Sequence, residues 1–389
     1  MRDVAIVGAG TTKFGELWND SLRDIGIQAG FAAIQDAKIE SHDIDALYVG
    51  NMAAGRYIAQ EHVAALITDY SGLSSRHISA TRVEAACASG GVALHNAYLA
   101  VASGMYDTVV VGGAEKMTDA TDAENTEILA ASADAQWETF FGATFPALFA
   151  MMARAHMQEH GTTREQMAQV AVKNHAHGAL NPNAQFQKEI DLDTVLNAGM
   201  VADPLGVFDC SPISDGGSAL VLMPLEKALS HTKRPVIIRG STIATDTLGL
   251  HARPKLTSMA ATKVAGQRAL TQAKKTIADI HLAELHDCFT IAELIALEDL
   301  GFVKAGEAGA AVAEGRFHLK GGQMPVNTSG GLKARGHPCG ATGIAQVVEA
   351  VFQLQGRAGA RQVKGATTAL THNVGGSGAT VTVHVLEAT

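Results

Sequence analysis

The chain repeats one pattern of strands and helices, and this duplication constrains its fold more than any other feature. Four segments of the first half have counterparts in the second half, in the same order. Any single pairing is weak, but four in one order are not expected by chance. The pairs are RDVAIVGAGTT (2–12) with RPVIIRGSTIA (234–244), DIDALYVGNM (43–52) with DIHLAELHDC (279–288), GVALHNAYLAVASG (91–104) with GIAQVVEAVFQLQG (343–356), and TVVVGGAEKM (108–117) with ATTALTHNVGG (366–376).

Each half alternates β-branched runs with helical patterns, which predicts an α/β fold with a sheet in each half. The helix predicted near 91–104 is apolar on almost every side, as expected of a helix buried between two sheets. We therefore predict two related halves, 1–117 plus 211–232 and 233–389. The segment between them, 118–210, breaks the repeat, and we expect it to cover a substrate.

Composition excludes several classes of function. The 389 residues carry a formal charge of −9 without a basic block, which argues against nucleic-acid binding. No apolar run is long enough to span a bilayer, and the first residues lead directly into a strand, so we expect a cytoplasmic protein. The four cysteines are far apart in sequence, which argues against disulfides and zinc and leaves each thiol to be judged alone.

Cys87 is the first candidate for chemistry. It lies in VEAACASGGVALH, between a strand end and the long apolar helix. A thiol at a helix N-terminus is stabilised as thiolate by the dipole and the free amides. A buried, inert cysteine would look the same in sequence, so Cys87 is either a nucleophile or a small core residue.

His337 is the second candidate, in NTSGGLKARGHPCGATG (327–343). The repeat aligns Cys339 with Cys87, so His337 belongs to the equivalent loop of the other half. A pseudo-twofold axis would bring the two loops face to face, as a Cys–His nucleophile–base pair requires. The alternative is a structural histidine in a glycine-rich turn.

Two further blocks lie at predicted strand ends. HDCF (286–289) brings a histidine, an acid and a thiol together, although Asp287 could cap the helix that follows and Cys288 could be a core residue. THNVGGSGA (371–379) has glycines that would let backbone amides approach a ligand and form an oxyanion hole.

Together these blocks resemble the thiolase superfamily from end to end. CASGGVA is similar to the thiolase nucleophile motif, and GGLKARGHPCGATG to its Gly-His-Pro motif. HDCF stands where most thiolases carry Asn-Glu-Ala-Phe, and Asn373 stands where they carry a second catalytic cysteine. That combination resembles the archaeal acetoacetyl-CoA thiolases and the sterol-carrier-protein type. The resemblance implies a five-layered αβαβα thiolase fold with an inserted loop domain at 118–210.

The resemblance also implies a mechanism. Cys87 would carry the acyl group, His337 would take its proton, and Cys288 would move the α-proton of the second acyl-CoA. Oxyanion holes would form from His337 with His286 and from the amides of Cys87 and Gly375. Ser211 and Asn373 would contact substrate; Ser211 could instead cap a loop. The reaction would be a reversible Claisen condensation in lipid and mevalonate metabolism, most simply two acetyl-CoA giving acetoacetyl-CoA, with CoA as substrate and product and no metal or other cofactor.

Three kinds of alternative stay open: a related condensing enzyme, a thiolase for longer chains, and a subunit without catalytic activity. A ketoacyl synthase should show a His-Gly-Thr block in the second half, which is missing. A hydroxymethylglutaryl-CoA synthase would use a glutamate as its acid/base, whereas Cys288 suits proton abstraction without decarboxylation. A longer-chain 3-oxoacyl-CoA thiolase is the nearest variant. A catalytically silent scaffold subunit is the third. It should have lost at least one of four side chains that are all present here: Cys87, His286, Cys288 and His337. The resemblance implies a homodimer or homotetramer, and a complex with a downstream CoA synthase and a small bridging protein.

Overall fold

The N-terminal half forms a five-stranded arrangement. The computed structural model describes all residues 1–389. The elements of this half are β1 (Val4–Thr11), α1 (Leu22–Ala37), β2 (Ala46–Gly50), α2 (Ala54–Tyr57), α3 (Val63–Tyr70), β3 (Ser79–Val83), α4 (Ser89–Ala102) and β4 (Val109–Glu115). The fifth strand, β7, comes after the insertion.

The inserted segment is mostly helical. Its elements, followed by the return to the first half, are α5 (Asp122–Ala130), α6 (Phe145–His160), α7 (Arg164–Gly178), α8 (Leu192–Leu196), β5 (Met200–Ala202), β6 (Leu205–Gly206), β7 (Gly216–Pro224) and α9 (Leu225–His231). Helix α6 does not build a core of its own: Phe149 stacks on Phe289 of the C-terminal half with ring centroids 4.5 Å apart. The insertion is thus packed firmly against the second half.

The C-terminal half repeats the order of the first. Its elements are β8 (Val236–Thr245), α10 (Ala260–Ala273), β9 (Leu282–Glu284), α11 (Thr290–Asp299), α12 (Ala308–Ala313), α13 (Gly331–Arg335), α14 (Cys339–Leu354), β10 (Thr368–Gly375) and β11 (Thr380–Ala388). The predicted repeat is confirmed, since β1, β2, α4 and β4 correspond in order to β8, β9, α14 and β10.

Nine strands form one sheet whose order is nearly symmetric, and β5 and β6 pair separately. Its order is β3-β2-β4-β7-β1-β8-β11-β10-β9, so equivalent strands lie symmetrically about the β1–β8 pair. That central pair is short, with Ala5 opposite Ile237 and Ile6 opposite Val236. An isolated parallel bridge from Ala283 to Val326 stands where β3 lies in the first half. The two sheets expected from the sequence are therefore joined at their edges about a pseudo-twofold axis.

Helices cover and separate the two half-sheets. Helices α4 and α14 pack against each other and contact strands of both halves, while α1 covers one outer face and α10 the other. This gives the five layers αβαβα. The middle layer is apolar because both its faces meet a sheet; Leu94 and Val347 are fully buried in it. No helix of the structure combines the length and the apolar character needed to cross a membrane.

Candidate active site

Cys87 occupies a tight turn between β3 and α4. It lies two residues before the first residue of α4, and the preceding Ala86 has a φ of 50°, which a residue with a side chain rarely adopts. Ser89 holds this turn, because its Oγ accepts from the Ala85 N–H at 2.9 Å and donates to the Ala86 carbonyl at 2.6 Å. The sulfur is thereby fixed at the N-terminus of a buried helix, as the sequence predicted.

His337 comes from the opposite half and lies beside Cys87. The Sγ atoms of Cys87 and Cys339 are 3.7 Å apart, and Cys339 Sγ is 3.8 Å from His337 Nε2. These three atoms all lie within 4.8 Å of one another. The pKa of the Cys87 thiol is held well below its usual range because the Cys339 thiol, the His337 ring and the Gly376 amide stabilise the thiolate, which outweighs the opposing effect of burial.

Hydrogen bonds fix the orientation of the His337 ring. Nδ1 is 2.7 Å from Thr342 Oγ1, and that hydroxyl donates to the Pro338 carbonyl at 3.0 Å. Since the hydroxyl hydrogen is used in that way, Nδ1 carries the proton and the Nε2 lone pair points towards the sulfurs. The His337 backbone N–H donates to Ser214 Oγ at 2.9 Å. The imidazole is thus set to accept a proton from a thiol.

Cys288 lies in the loop between β9 and α11 and is 5% exposed. Burial raises its pKa well above the ordinary thiol value, and the charge on Cys87 raises it further, followed by that of Asp287. At rest this second thiol is protonated.

His286 is buried against His337, with ring centroids 5.1 Å apart and planes at 85°. Its Nδ1 accepts from Asn373 Nδ2 at 3.0 Å. Burial lowers the pKa of His286 well below its usual value, so the ring is neutral and its proton lies on Nε2. Nε2 is buried without a hydrogen-bond partner. A free N–H donor at this point is suited to an oxygen of a bound ligand.

The HNVGG strand end passes directly beneath the Cys87 turn. Asn373 Nδ2 donates to the Cys87 carbonyl at 3.0 Å. A Cβ at Gly375 would lie 2.3 Å from the Ala85 carbonyl oxygen, so only glycine fits there. The amide that reaches the Cys87 sulfur belongs to Gly376, one residue beyond the predicted Gly375. The Cys87 N–H makes no hydrogen bond to another backbone group.

A cavity of about 670 Å³ leads to these groups. Cys87, Cys288 and His337 line it, together with Ser211, whose N–H donates to the Cys288 carbonyl at 2.9 Å. His286, Asn373 and Gly375 do not line it. Most of the remaining wall comes from the insertion: Asp122, Asn125, Thr126, Leu129, Thr144, Phe145, Pro146, Val201, Val207 and Cys210.

Asp287 caps a different helix from the one the sequence suggested. Its carboxylate accepts from the N–H groups of Leu332 at 2.7 Å and Lys333 at 3.2 Å, in α13, and from Asn174 Nδ2 at 2.7 Å. The suggested cap on α11 is therefore wrong, because the carboxylate turns towards the loop that leads to His337. Asp287 links the HDCF block to the Gly-His-Pro loop.

Three residues of the site were missed in the sequence. Cys339 aligned with Cys87 in the repeat, which was a usable signal for their proximity. Thr342 follows His337 by about one helical turn, a weaker signal. Glu115 gave no such signal. It is fully buried at the end of β4 and accepts from the Met52 N–H at 2.7 Å and the Gly340 N–H at 2.9 Å, which ties the segment after β2 to the start of α14. Burial raises its pKa to about 7.

Comparison with known proteins agrees with this geometry. Residues 4–226 match the family model "Thiolase, N-terminal domain", and residues 242–388 match "Thiolase C-terminal domain-like". The chain is 53% identical to an acetyl-CoA acetyltransferase of Methanothermobacter thermautotrophicus over 99% of both chains. It is 34% identical to sterol carrier protein 2 of Bos taurus, covering 97% of this chain and 71% of that protein.

A solved structure described as an Ltp2-ChsH2(DUF35) aldolase superposes with a TM-score of 0.86 and 30% identity, covering 99% of this chain and 98% of that one. The similarity to these proteins extends along almost the full length of the chain. The protein belongs to the thiolase family.

Proposed function

We propose that this protein is an acetyl-CoA acetyltransferase, which condenses two acetyl-CoA molecules to acetoacetyl-CoA and CoA in a reversible reaction. The observation that carries this proposal is a stabilised Cys87 thiolate beside the His337 imidazole, with the second thiol of Cys288 on the wall of the same cavity. The 53% identity to an archaeal enzyme of that name supports it.

In the first step the Cys87 thiolate attacks the thioester carbonyl of acetyl-CoA. The bond between the acetyl carbon and the CoA sulfur breaks, and the acetyl group stays on Cys87. His337 holds the proton that Cys87 has given up and passes it from Nε2 to the departing CoA sulfur. The hydrogen bond from Nδ1 to Thr342 keeps Nε2 pointing at the reacting sulfur throughout.

In the second step Cys288 moves the α-proton of another acetyl-CoA. Acylation of Cys87 removes the negative charge that raises the Cys288 pKa, so Cys288 is more easily deprotonated once the acyl group is in place. His337, neutral after CoA has left, takes the Cys288 proton. The Cys288 thiolate then takes the α-proton, the resulting enolate attacks the acyl carbonyl, and Cys87 leaves as thiolate.

Two sets of donors are available for the oxygens that become negative. The unpartnered His286 Nε2–H would bond the enolate oxygen. The Cys87 amide, which bonds no other backbone group, would bond the acyl carbonyl oxygen together with the predicted Gly375 amide. Ser211 is the residue of the cavity wall that we propose for contact with the pantetheine arm.

Acetoacetyl-CoA cleavage by CoA tests this proposal. We expect the wild-type protein to cleave acetoacetyl-CoA and Cys87→Ser to lose about 10³-fold or more of that rate. Intact-protein and peptide mass spectrometry should detect an acetyl group on wild-type Cys87. Cys210→Ser is the matched control, because this thiol also lines the cavity but points its sulfur at the Gly206 carbonyl. A wild-type protein that is inert on both short and long 3-oxoacyl-CoA would favour the scaffold alternative.

Chain length and assembly complete the proposal. Rates on 3-oxoacyl-CoA of increasing length distinguish an acetoacetyl-CoA enzyme from a longer-chain thiolase. We propose a cytoplasmic homo-oligomer that associates with a small bridging protein; the likeness to a structure described as a complex with a DUF35 protein supports such an association. Sedimentation of the protein alone and after mixing with a DUF35 protein would test both parts.

A further inference from the structure

Cys339 is a buried thiol beside the nucleophile that the proposed reaction does not use. It is fully buried, does not line the cavity, and belongs to the first turn of α14. With Cys87 and His337 it completes a set of two sulfurs and one imidazole nitrogen within 4.8 Å of one another. Cysteine and histidine in this proportion are the ligands that Zn²⁺ prefers in proteins.

Both separations from the Cys339 sulfur fit a tetrahedral ion. With Zn–S bonds of about 2.3 Å and Zn–N bonds of about 2.0 Å, a tetrahedral site has sulfurs about 3.8 Å apart and sulfur and nitrogen about 3.5 Å apart. The Cys87 and Cys339 sulfurs are 3.7 Å apart, and Cys339 Sγ lies 3.8 Å from His337 Nε2. Both separations therefore match a tetrahedral site, and the third, from Cys87 Sγ to the His337 ring, is within 4.8 Å.

The surroundings also favour a cation. His337 presents the Nε2 lone pair because its Nδ1–H is held by Thr342, the arrangement typical of metal-binding histidines. Two thiolates neutralise a divalent ion, which lowers the cost of burying it. The carboxylate of Glu115 lies just behind, bonded to the Gly340 N–H next to Cys339. Cys87 and His337 line the cavity, so an ion has access from that side and its fourth position stays open.

We propose that Cys87, Cys339 and His337 form a binding site for a soft divalent cation, Zn²⁺ in particular, and that the bound ion inhibits the enzyme reversibly. Binding displaces two protons, the thiol proton of Cys339 and the one that Cys87 and His337 share, and forms two Zn–S bonds and one Zn–N bond. The nucleophile and its base are then both held by the metal, so no acyl group can be transferred. The inhibitory effect rests on the proposed function; the binding site itself does not.

The binding site is tested without any activity measurement. Metal-free protein is titrated with Co²⁺ under a non-thiol reductant, and with Zn²⁺ in competition with a chelator of known affinity. We expect one ion per chain and a near-ultraviolet band from thiolate-to-cobalt charge transfer. The other group of three candidate ligands, His156, His160 and Glu298, contains no thiol, so cobalt bound there would lack that band.

Variants assign the ligands. Cys339→Ser keeps a hydroxyl of similar size but loses the soft ligand, and we expect it to weaken Zn²⁺ binding about 100-fold or more. Cys210→Ser removes a thiol of the same cavity outside the cluster and should change the affinity less than about twofold. Near-ultraviolet circular dichroism shows whether each variant is folded. Wild-type protein without a charge-transfer band, or equal affinities in wild type and a folded Cys339→Ser, would overturn the site.

Inhibition is measured separately. Micromolar Zn²⁺ should stop thiolysis by wild type, a chelator should restore it, and Cys339→Ser should need about 100-fold more zinc relative to its own zinc-free rate. Tight cobalt binding without inhibition would overturn the regulatory part and leave the site intact. If wild type shows no thiolase activity at all, the proposed function fails, and the cobalt spectra still decide the binding site.

Discussion

The hydroxyl of Thr342 and the Nδ1 of His337 are 2.7 Å apart, and this contact decides which nitrogen of His337 faces the nucleophile. Because Thr342 donates its own hydrogen to the Pro338 carbonyl, it can only accept from Nδ1–H. Thr342 lies in the first turn of α14 and His337 lies two residues before that helix, so one short segment supplies both the base and the group that orients it.

Thr342→Val should therefore lower kcat for thiolysis about 10- to 100-fold, because the ring loses its fixed tautomer and orientation while the fold is kept. Thr342→Ser retains the acceptor and should restore most of the rate. The measurement is the pH profile of kcat/KM in the three proteins. A valine variant with the wild-type rate and profile would show that Thr342 does not position the base.

Cys288→Ala should separate the two half-reactions. Acylation of Cys87 does not need the second thiol, so a burst of about one equivalent of CoA from acetyl-CoA should remain, whereas steady-state condensation should fall about 10²-fold or more. Rapid mixing with a thiol reagent for CoA gives both quantities. Near-normal turnover would contradict the assignment of Cys288 to proton transfer.

The middle layer depends on glycine contacts between α4 and α14. A Cβ at Gly343 would lie 2.3 Å from both the Gly91 nitrogen and Asn373 Oδ1. We expect Gly343→Ala to lower the free energy of unfolding by about 3 kcal/mol or more and to impair activity, since Asn373 holds the Cys87 carbonyl. Denaturant unfolding provides the measurement.

Gly30→Ala is the matched control for this substitution. Gly30 lies within α1, and a Cβ added there would have no other atom within 4 Å. This change should stabilise the protein by about 0.4–1 kcal/mol, because alanine restricts the unfolded chain. Equal effects of the two substitutions would mean that α4 and α14 do not pack as closely as the structure has them.

Buried neutral histidines should make the fold sensitive to mild acid. Burial lowers the pKa values of His372 and His384 to about 3, well below the unfolded value of about 6.5. Between those values the unfolded chain binds more protons than the folded one, so stability is full above about pH 6.5 and is lost as the pH falls towards 3. At about pH 5.5 each such histidine lowers the free energy of unfolding by about 1.4 kcal/mol.

His384→Gln should reduce the slope of the unfolding free energy against pH between about 6.5 and 5. The reduction should correspond to roughly one fewer proton taken up on unfolding. His42→Gln is the control, because that side chain is 75% exposed. Denaturant titrations at several pH values compare the slopes. If the His384 variant keeps the wild-type slope while the protein is folded, the ring is not held neutral.

The sequence predicted which elements and loops form the site better than it predicted the contacts between their side chains. The order of β1, β2, α4 and β4 and its repetition were readable from hydrophobic patterning, since each element's period is a local property of the chain. The direction of the Asp287 carboxylate was not readable, because it depends on where α13 lies relative to β9. The joining of two half-sheets through β1 and β8 was not readable either, since only two residue pairs make it.

The sequence by itself determined that two repeated halves would set the Cys87 turn opposite the His337 loop, and its motifs marked Cys288 and His286 as their neighbours. Only the tertiary structure decided the distances and protonation states. It places Cys339 Sγ 3.7 Å from the Cys87 sulfur and lets Thr342 set the tautomer of His337. It also buries Cys288, which raises the pKa of that thiol and keeps it protonated. The reason is physical. Periodicity and turn residues act locally along the chain, whereas distances and pKa values depend on how closely α4 and α14 pack and on how much water that packing excludes.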